Sequence, residues 1–350
     1  MYTKNQIKKA GKIFKANEDS DIEKFNEAMN ILTYWRSIHG QVLEKFEDQI
    51  IDFATEIDTT AIIAKRLKRK PSIVNKLRRL NHIQLNTMQD IAGLRIIVDS
   101  MPKVRKLVKV LKSDRFNCEL KQEDDYINYP KKSGYRSYHL IFKNSDRINP
   151  ELDGLLIEVQ IRTVVQHAWA TAVEIMGAYL NSNLKFNEGK QKWINYFALT
   201  SNSFSYLEKT NTVPQYSKLS EFESYSQTLY EFNYNLISDK LKAFSHISDV
   251  ICENSDLIGK YNLITLNIRK KEVEIKVFES QNLKNANIEF TDLEKKYFNN
   301  DNYQIALVST KNIHELREAY PNYFLDTHMF MKKMSIVKRR FNNLKKHRLT

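Results

Sequence analysis

The sequence predicts a mixed α/β protein, in which helices pack on a β-sheet and a smaller α+β module follows. Short β-rich runs alternate with helical periodicity up to about residue 200. Hydrophobic residues make up 42% of the 350 residues, which is enough for a sizeable core. A stretch around residues 211–218, containing a proline, separates a second series of helices and strands. We therefore expect an N-terminal helical region at 1–58, a sheet domain at 59–210 and a C-terminal module at 215–350.

The first region has the periodicity of helices. Apolar residues recur at intervals of three and four from Phe25 to Phe46, with Gly40 as a candidate break, and helical spacing continues to Leu67. Pro71 and Ser72 then open a further helix, with Ser72 as its expected N-cap. The first strand is expected only after this helix.

Short runs rich in β-branched and aromatic residues predict the strands of the sheet. They lie at 94–98, 138–142 and 155–161, with a polar loop expected at 123–134. In the C-terminal module the same pattern predicts strands near 262–268, 272–278 and 305–309. The order of elements is typical of a mixed sheet with helices packed on it.

Charge and composition narrow the class of function. The formal net charge of +13 favours partners that carry phosphate, such as nucleotides, RNA or acidic lipid. Cys118 and Cys252 lack metal-ligand spacing and are typical of reduced thiols in a cytosolic protein. No apolar run reaches the ~18 residues of a membrane span, and residues 1–21 lack a signal-peptide pattern. We expect a cytoplasmic protein with no membrane partner.

The stretch between Thr59 and Gln89 contains eight basic residues and no acidic one. A basic run is often only a solvated surface. It also suits a triphosphate, with Lys68 and Lys76 as point charges and the positive end of a helix beginning near Ser72.

The next segment places Asp90 just before an apolar strand that contains Arg95. Burying either charge is costly unless each is paired. One interpretation is a structural salt bridge between the two. The other places Asp90 on a magnesium ion and Arg95 against a base or a phosphate.

Two further segments carry polar residues in a pattern. Around Gly134, where close backbone approach is possible, Tyr135 offers a stacking surface. On the strand beginning near residue 155, Glu158, Gln160 and Arg162 alternate with apolar neighbours and therefore share one face. Three polar side chains on one sheet face predict a cavity there.

Together these segments resemble the motifs of the RelA/SpoT synthetase family, in the family's order and across about residues 20–200. The matching patterns are Arg66-x-Lys68-x₃-Ser72-Ile-x₂-Lys76, Asp90-Ile-Ala-Gly-x-Arg95, Tyr126-Ile-x₂-Pro-Lys-x₂-Gly-Tyr-Arg-Ser-x-His139 and Glu158-x-Gln-Ile-Arg-Thr163. The resemblance implies a nucleotidyltransferase-like mixed β-sheet flanked by helices. It also implies transfer of the β,γ-pyrophosphate of ATP to the 3′-hydroxyl of GDP or GTP, which makes an alarmone.

The resemblance assigns a role to each residue by position. Asp90 and Glu158 are the implied catalytic residues and Mg²⁺ ligands, with Glu158 activating the 3′-hydroxyl. The implied ATP-binding residues are Arg66 and Arg95 at the adenine and Lys68, Ser72 and Lys76 at the phosphates. The expected acceptor-binding residues are Lys131, Tyr135, Arg136, His139, Gln160 and Arg162. Such a set fits pyrophosphoryl transfer, because its transition state gathers negative charge on phosphate oxygens.

Two alternatives to an alarmone synthetase stay open. The first is a toxin-like enzyme that pyrophosphorylates the 3′-terminal adenosine of tRNA and so inhibits translation. It is favoured by the basic stretch from Lys332 to Arg348 and by a resemblance of residues 35–39 and 166–174 to toxin-like synthetases. The second is a non-enzymatic RNA- or nucleotide-binding module, which would gain nothing from two carboxylates facing polyphosphate. An antitoxin or a self-neutralising C-terminal module is a further expected partner, and the chain has no His-Asp dipeptide of the kind that the family's hydrolase domain carries.

Overall fold

The structure, a computed structural model, describes most of the chain. The described residues are 2–16, 22–116, 118–180, 182, 184, 188–234, 237–239, 241, 242, 244, 261–298, 300, 302–309, 317 and 320–349. Cys252 lies outside them.

A five-stranded mixed sheet forms the centre of the first two hundred residues. Its strands are β1 (Ile62–Leu67), β2 (Ala92–Val98), β3 (Glu119–Asp125), β4 (Tyr138–Lys143) and β5 (Leu156–Thr163), in the order β1-β2-β5-β4-β3. The pair β2–β5 is parallel, and the other neighbours are antiparallel. This mixed sheet, flanked by helices, confirms the predicted fold class.

Helices cover one face of this sheet with a continuous apolar core. They are α1 (Lys4–Lys15), α2 (Ile22–Ile57), α3 (Lys70–Arg79) and α4 (Met101–Leu111). Leu94 and Ile96 of β2 and Val159 of β5 are buried against them, because alternate side chains of a strand point to the same face. The residues between these positions therefore point to the opposite face.

Three local predictions were wrong. Gly40 lies inside the unbroken helix α2, and residues 62–67 form strand β1 rather than helix. Residues 119–125 form strand β3, although the polar loop was expected to begin at 123. The strand β3 is mostly exposed at the sheet edge, so it lacks the apolar alternation that reveals a strand. Strand β1 is extended because it pairs with β2. The periodicity of a local sequence contains no information about such pairing.

The C-terminal half adds helices and a second sheet. The helices are α5 (Val164–Tyr179), α6 (Gln191–Glu208), α7 (Glu221–Tyr234), α8 (Leu283–Lys296) and α9 (His328–Leu349), with a 3-10 turn at Pro321–Phe324. The second sheet is antiparallel, and its strands are β6 (Tyr261–Asn267), β7 (Glu272–Phe278) and β8 (Tyr303–Ser309), in the order β7-β6-β8. These strands lie close to the three predicted positions.

The C-terminal module shares a hydrophobic core with the first sheet domain. One cluster of buried side chains joins Ala64 of β1 and Trp169 of α5 to Ile264 of β6, Tyr320 and Phe330. This part of the module therefore packs against the sheet face opposite to α2 and α4. None of the helices within the described residues combines the length and the apolar character that crossing a membrane requires.

Candidate active site

The polar face of the first sheet is organised by strand register. Arg66 lies opposite Gly93, which lies opposite Glu158, so these positions form one row across β1, β2 and β5. Arg95 and Gln160 are opposite each other in the next row. Residues opposite each other on neighbouring strands point to the same side of a sheet. The segments that the sequence singled out therefore meet on one face.

Asp90 lies between two lysines at the start of β2. Its Oδ2 is 2.9 Å from Lys68 Nζ and its Oδ1 is 2.8 Å from Lys76 Nζ. Burial raises the pKa of Asp90, but the two ammonium groups outweigh burial and lower it to about 2. Asp90 is therefore a carboxylate at every physiological pH.

Glu158 is held by neighbours on its own strand and on β4. Its Oε1 is 2.8 Å from His139 Nδ1, and Gln160 Nε2 donates to Oε2 at 2.8 Å. Burial raises the pKa of Glu158, while the hydrogen bond and charge of His139 outweigh burial and keep the pKa below its ordinary value. The like charge of Asp90 acts in the other direction and raises the pKa of Glu158. Two ionised carboxylates thus lie near the same end of the parallel strands β2 and β5.

His139 connects Glu158 to an aromatic and cationic network. His139 Nε2 is 2.8 Å from the hydroxyl of Tyr135, to which Arg162 Nη2 donates at 2.6 Å. Arg162 also donates to Gln160 Oε1 at 2.9 Å. Burial lowers the pKa of His139, but Tyr135 and Glu158 outweigh burial and raise it. The structure therefore brings four predicted acceptor residues together beside Glu158.

Lys131 approaches this network from the loop before β4. Its Nζ is 4.0 Å from the centre of the Tyr126 ring and 5.5 Å from that of Tyr135. The ring of Tyr135 is only 8% exposed, whereas that of Tyr126 is half-buried. Tyr126 is thus an aromatic neighbour of the site that residue-by-residue reasoning missed, although it belongs to the third motif.

Arg66 and Arg95 form a second cationic group on β1 and β2. The Arg95 side chain is buried, and among the described residues it has no hydrogen-bond or ion-pair partner, its Nε included. Burial and then the like charges of Arg162 and Arg66 lower the pKa of Arg95 to about 10. The suggested salt bridge with Asp90 is wrong, because Asp90 pairs with the two lysines. A buried guanidinium without a partner is a candidate for ligand binding.

Glu174 of α5 is the negative charge that faces this arginine group. Desolvation lowers the pKa of Arg66, but Glu174 contributes most to outweighing that effect, so the pKa is raised. Glu174 also supports the charged form of Arg95. The sequence indicates only that residues 166–174 resemble toxin-like synthetases, and it does not reveal that Glu174 faces the arginines.

Arg136, which was predicted to bind the acceptor, lies apart from this cluster. It is buried, and its guanidinium donates to the carbonyl of Ser201 and, at 3.2 Å, to Thr210 Oγ1. The neighbouring Gly134 has a φ of +88°, and a Cβ there would lie 2.7 Å from Ser201 Cβ. The close approach at Gly134 is therefore to helix α6 rather than to a ligand.

Ser72 lies in the first turn of α3 but is not its N-cap. That position belongs to Arg69, whose extended backbone precedes the helix, and no side chain caps it by a hydrogen bond. Pro71 occupies the first turn, as expected of a residue without an N–H. Ser72 is half-buried on the same helix as Lys76.

The donor set suits a magnesium ion held jointly with a nucleotide. Among the described residues, no three His, Cys, Asp or Glu side chains group as a metal site of their own. Mg²⁺ is commonly held by one or two carboxylates together with substrate phosphates, and Asp90 and Glu158 offer that pair. The site as a whole combines two carboxylates with lysines and arginines, a set of side chains that suits a phosphate-bearing ligand.

Comparison with known proteins shows which family has a similar region. Residues 65–183 match the model of the region found in RelA/SpoT proteins. This segment contains both carboxylates and the arginine pair, and it is the part of the chain that is similar to RelA/SpoT proteins.

Individual relatives match a similar part of the chain. It is 34% identical over 125 residues to GTP pyrophosphokinase YjbM and 35% identical over 124 residues to GTP pyrophosphokinase YwaC, both of Bacillus subtilis. The matches cover 35% and 34% of this chain, and 58% and 59% of those proteins, which is less than two thirds of either. The crystal structure of small alarmone synthetase 2 from Bacillus subtilis is 26% identical and matches 50% of this chain and 93% of its own, at a TM-score of 0.43.

Proposed function

We propose that the chain is an ATP-dependent pyrophosphokinase that transfers the β,γ-pyrophosphate of ATP to the 3′-hydroxyl of GDP or GTP. The observation that carries this proposal is the pair of ionised carboxylates, Asp90 and Glu158, each with its own cationic partners on one sheet face. The matched relatives named GTP pyrophosphokinase support the same reaction.

Donor binding falls to β1, β2 and α3 in this proposal. Arg66 and Arg95 stack on the adenine, because guanidinium planes suit an aromatic base. Lys68, Ser72 and Lys76 contact the phosphates. The lysines on Asp90 act as counter-charges that change partner when a nucleotide arrives. A magnesium ion held by Asp90, Glu158 and phosphate oxygens supplies charge neutralisation when bound.

Acceptor binding falls to the network around Glu158. Tyr135 and Lys131 border the acceptor base, and His139, Gln160 and Arg162 fix the carboxylate. Glu158 then accepts the proton of the 3′-hydroxyl while that oxygen attacks the β-phosphorus. The bond from the β-phosphorus to the α,β-bridging oxygen breaks, and AMP leaves. Because the pKa of Glu158 is held below its ordinary value, the base is ready at neutral pH.

The decisive experiment offers every candidate acceptor to the same protein. The full chain is incubated with ATP labelled in its β- and γ-phosphates, together with GDP, GTP and total tRNA. We expect label in a guanosine product and equimolar AMP. Label found only in tRNA would show that tRNA is the acceptor and would contradict the proposal. Absence of transfer to any acceptor would favour the non-enzymatic binding module.

The tRNA alternative is favoured by one feature, the basic surface of α9. The helix has no acidic residue, and Lys338, Arg339 and Lys345 are exposed along it. Its other side is buried through Met334 and Val337, so deleting the helix would open the core. Charge removal is therefore a cleaner test than truncation.

We predict the outcome of replacing Lys338, Arg339 and Lys345 with Gln. If tRNA is the acceptor, its binding weakens and its log–log salt slope flattens by roughly 0.7–0.9 for each phosphate that is no longer neutralised. Transfer to GDP should stay unchanged. The matched control replaces Lys4, Lys9 and Lys12 on α1, which removes the same charge from another exposed surface. Equal effects of both variants would show only a general charge effect.

We also propose that the C-terminal module restrains the donor site. The hydroxyl of Tyr320 donates to the carbonyl of Lys65, directly before Arg66 on the edge strand β1. Tyr320 and Tyr323 are both nearly fully buried, and Tyr320 lies close enough to Arg66 and Arg95 to influence the pKa of each. An adenine placed between the two arginines would compete for this space.

Replacing Tyr320 with Phe removes only the hydroxyl that holds β1. If the module restrains the site, this change should tighten binding of a non-hydrolysable ATP analogue several-fold, measured by calorimetry. The control is Tyr225→Phe, because Tyr225 is equally buried in the same core. Weaker analogue binding in Tyr320→Phe would instead make Tyr320 a support of the donor site.

A further inference from the structure

A cluster of buried charge lies apart from Asp90 and Glu158, where α8 packs on α2 and α3. Glu294 of α8, Arg36 of α2 and Lys70 of α3 are 3%, 4% and 1% exposed. Glu294 Oε2 is 2.7 Å from Arg36 Nη1, and the backbone N–H of Lys70 donates to Oε1 at 3.2 Å. One carboxylate therefore joins two helices separated from it by more than two hundred residues.

The receiving side of this contact has more donors than Glu294 satisfies. Arg36 Nε and Nη2 and Lys70 Nζ are buried without a hydrogen-bond partner among the described residues. Burial lowers the pKa of Lys70 to about 8. The charge of Glu294 opposes this shift, and the like charge of Arg36 adds to it. Such a surplus of buried donors is typical of a place that receives an anion.

The helix geometry points the same way. Helix α3 has ten residues and no side-chain cap, so its first N–H groups have no partner within the helix. The positive end of the helix dipole lies at the same place. The Arg36 guanidinium and the first backbone N–H of α3 thus contact a single carboxylate, and the Lys70 ammonium group lies near enough to be influenced by its charge.

We infer that the side chains of Arg36 and Lys70 and the first backbone N–H of α3 form a receptor for a carboxylate-sized oxyanion. The side chain of Glu294 is its ligand in this structure, and this contact anchors the C-terminal module. The inference does not depend on the proposed reaction, since Arg36, Lys70 and Glu294 are not among the residues proposed to bind ATP or the acceptor. It differs from an ordinary salt bridge in one testable respect. A receptor keeps its affinity for an anion after its own ligand is removed, because its donors stay in place.

The test is chemical rescue of Glu294→Ala in the full chain. Losing one partner of a buried ion pair should lower the melting temperature by roughly 5–10 °C. Sodium formate or acetate should restore at least half of this loss, and sodium chloride at equal ionic strength should not. The matched control is Glu289→Ala on the same helix, which removes an exposed ion pair with Lys276 and should show neither the fall nor the rescue.

Two further measurements complete the test. Amide exchange in α8 should speed up in Glu294→Ala and stay fast in formate, because free formate fills the receptor without holding the module. Adding Arg36→Met to Glu294→Ala should abolish the rescue. Equal melting temperatures of Glu294→Ala in formate and in chloride would contradict the inferred receptor. Unchanged amide exchange in α8 of this variant would contradict the inference that Glu294 anchors the module.

If Glu294→Ala does not fold, the inference can be tested by asking whether position 294 requires a negative charge. A receptor for an oxyanion should tolerate Glu294→Asp better than Glu294→Gln, since the first keeps the charge and the second keeps the shape. Equal losses of melting temperature in these two variants would contradict the inference.

Discussion

The carboxylates of Asp90 and Glu158 are both ionised, but they are held in different ways. Asp90 is held by two lysine ammonium groups, at 2.9 and 2.8 Å, on long side chains that come from outside the strand that follows it. Glu158 is held by His139 and Gln160, whose side chains stand on β4 and β5. These belong to a network that extends to Tyr135 and Arg162.

The difference suggests different tasks for the two sides. A lysine is a flexible point charge that can leave one anion for another, so the Asp90 side is suited to exchange its partners when phosphates enter. Side chains locked by several hydrogen bonds on a sheet keep their geometry through a reaction, so the Glu158 side is suited to hold one carboxylate in a fixed direction. Three predictions test this contrast.

The largest effect is expected for Glu158→Gln. Gln keeps the size of the side chain and removes the charge that accepts the proton, so turnover should fall by about 10²–10⁴. The melting temperature should change little. Rates are measured with saturating ATP and GDP, and circular dichroism checks the fold. A folded variant with near-normal turnover would remove Glu158 from the mechanism.

A smaller effect is expected for Arg66→Lys and Arg95→Lys. Lys keeps the charge but lacks the plane that stacks on adenine, so affinity for an ATP analogue should fall roughly tenfold. Arg136→Lys is the matched control for Arg95→Lys, because Arg136 is also buried but donates to the Ser201 carbonyl of α6. It should lower the melting temperature and leave the affinity unchanged. The reverse pattern, with lower stability and normal affinity in Arg95→Lys, would make Arg95 a structural residue.

The smallest effect is expected for the pH dependence of His139→Gln. His139 keeps the pKa of Glu158 below its ordinary value, so the base stays ionised down to acidic pH in the wild type. Removing His139 should raise the pKa of Glu158, and the acid limb of the rate profile should move to higher pH by about one unit. The same profile for Lys76→Gln serves as a control, because Lys76 holds Asp90 instead. An unmoved acid limb in His139→Gln would mean that His139 does not tune the base.

The sequence alone identified most of the residues on the polar face. Asp90, Glu158, the lysines and the arginine pair stand at short, fixed spacings within four segments, and residue type at such spacing is a local property. The alternation of Glu158, Gln160 and Arg162 also predicted correctly that they share a face, because strand geometry has a period of two. By residue type Arg136 could equally belong to the polar face. Its contact with Ser201 of α6, which the sequence does not reveal, places it elsewhere.

Contacts between distant parts of the chain were decided by the tertiary structure alone. Strand β1 took its conformation from pairing with β2, and β3 from its place at the other edge of the sheet. The bond from Tyr320 to Lys65 and the ion pair from Glu294 to Arg36 join residues more than 250 positions apart. Local periodicity carries no information about such pairs, since their energy exists only when the two sheets and their helices have packed together.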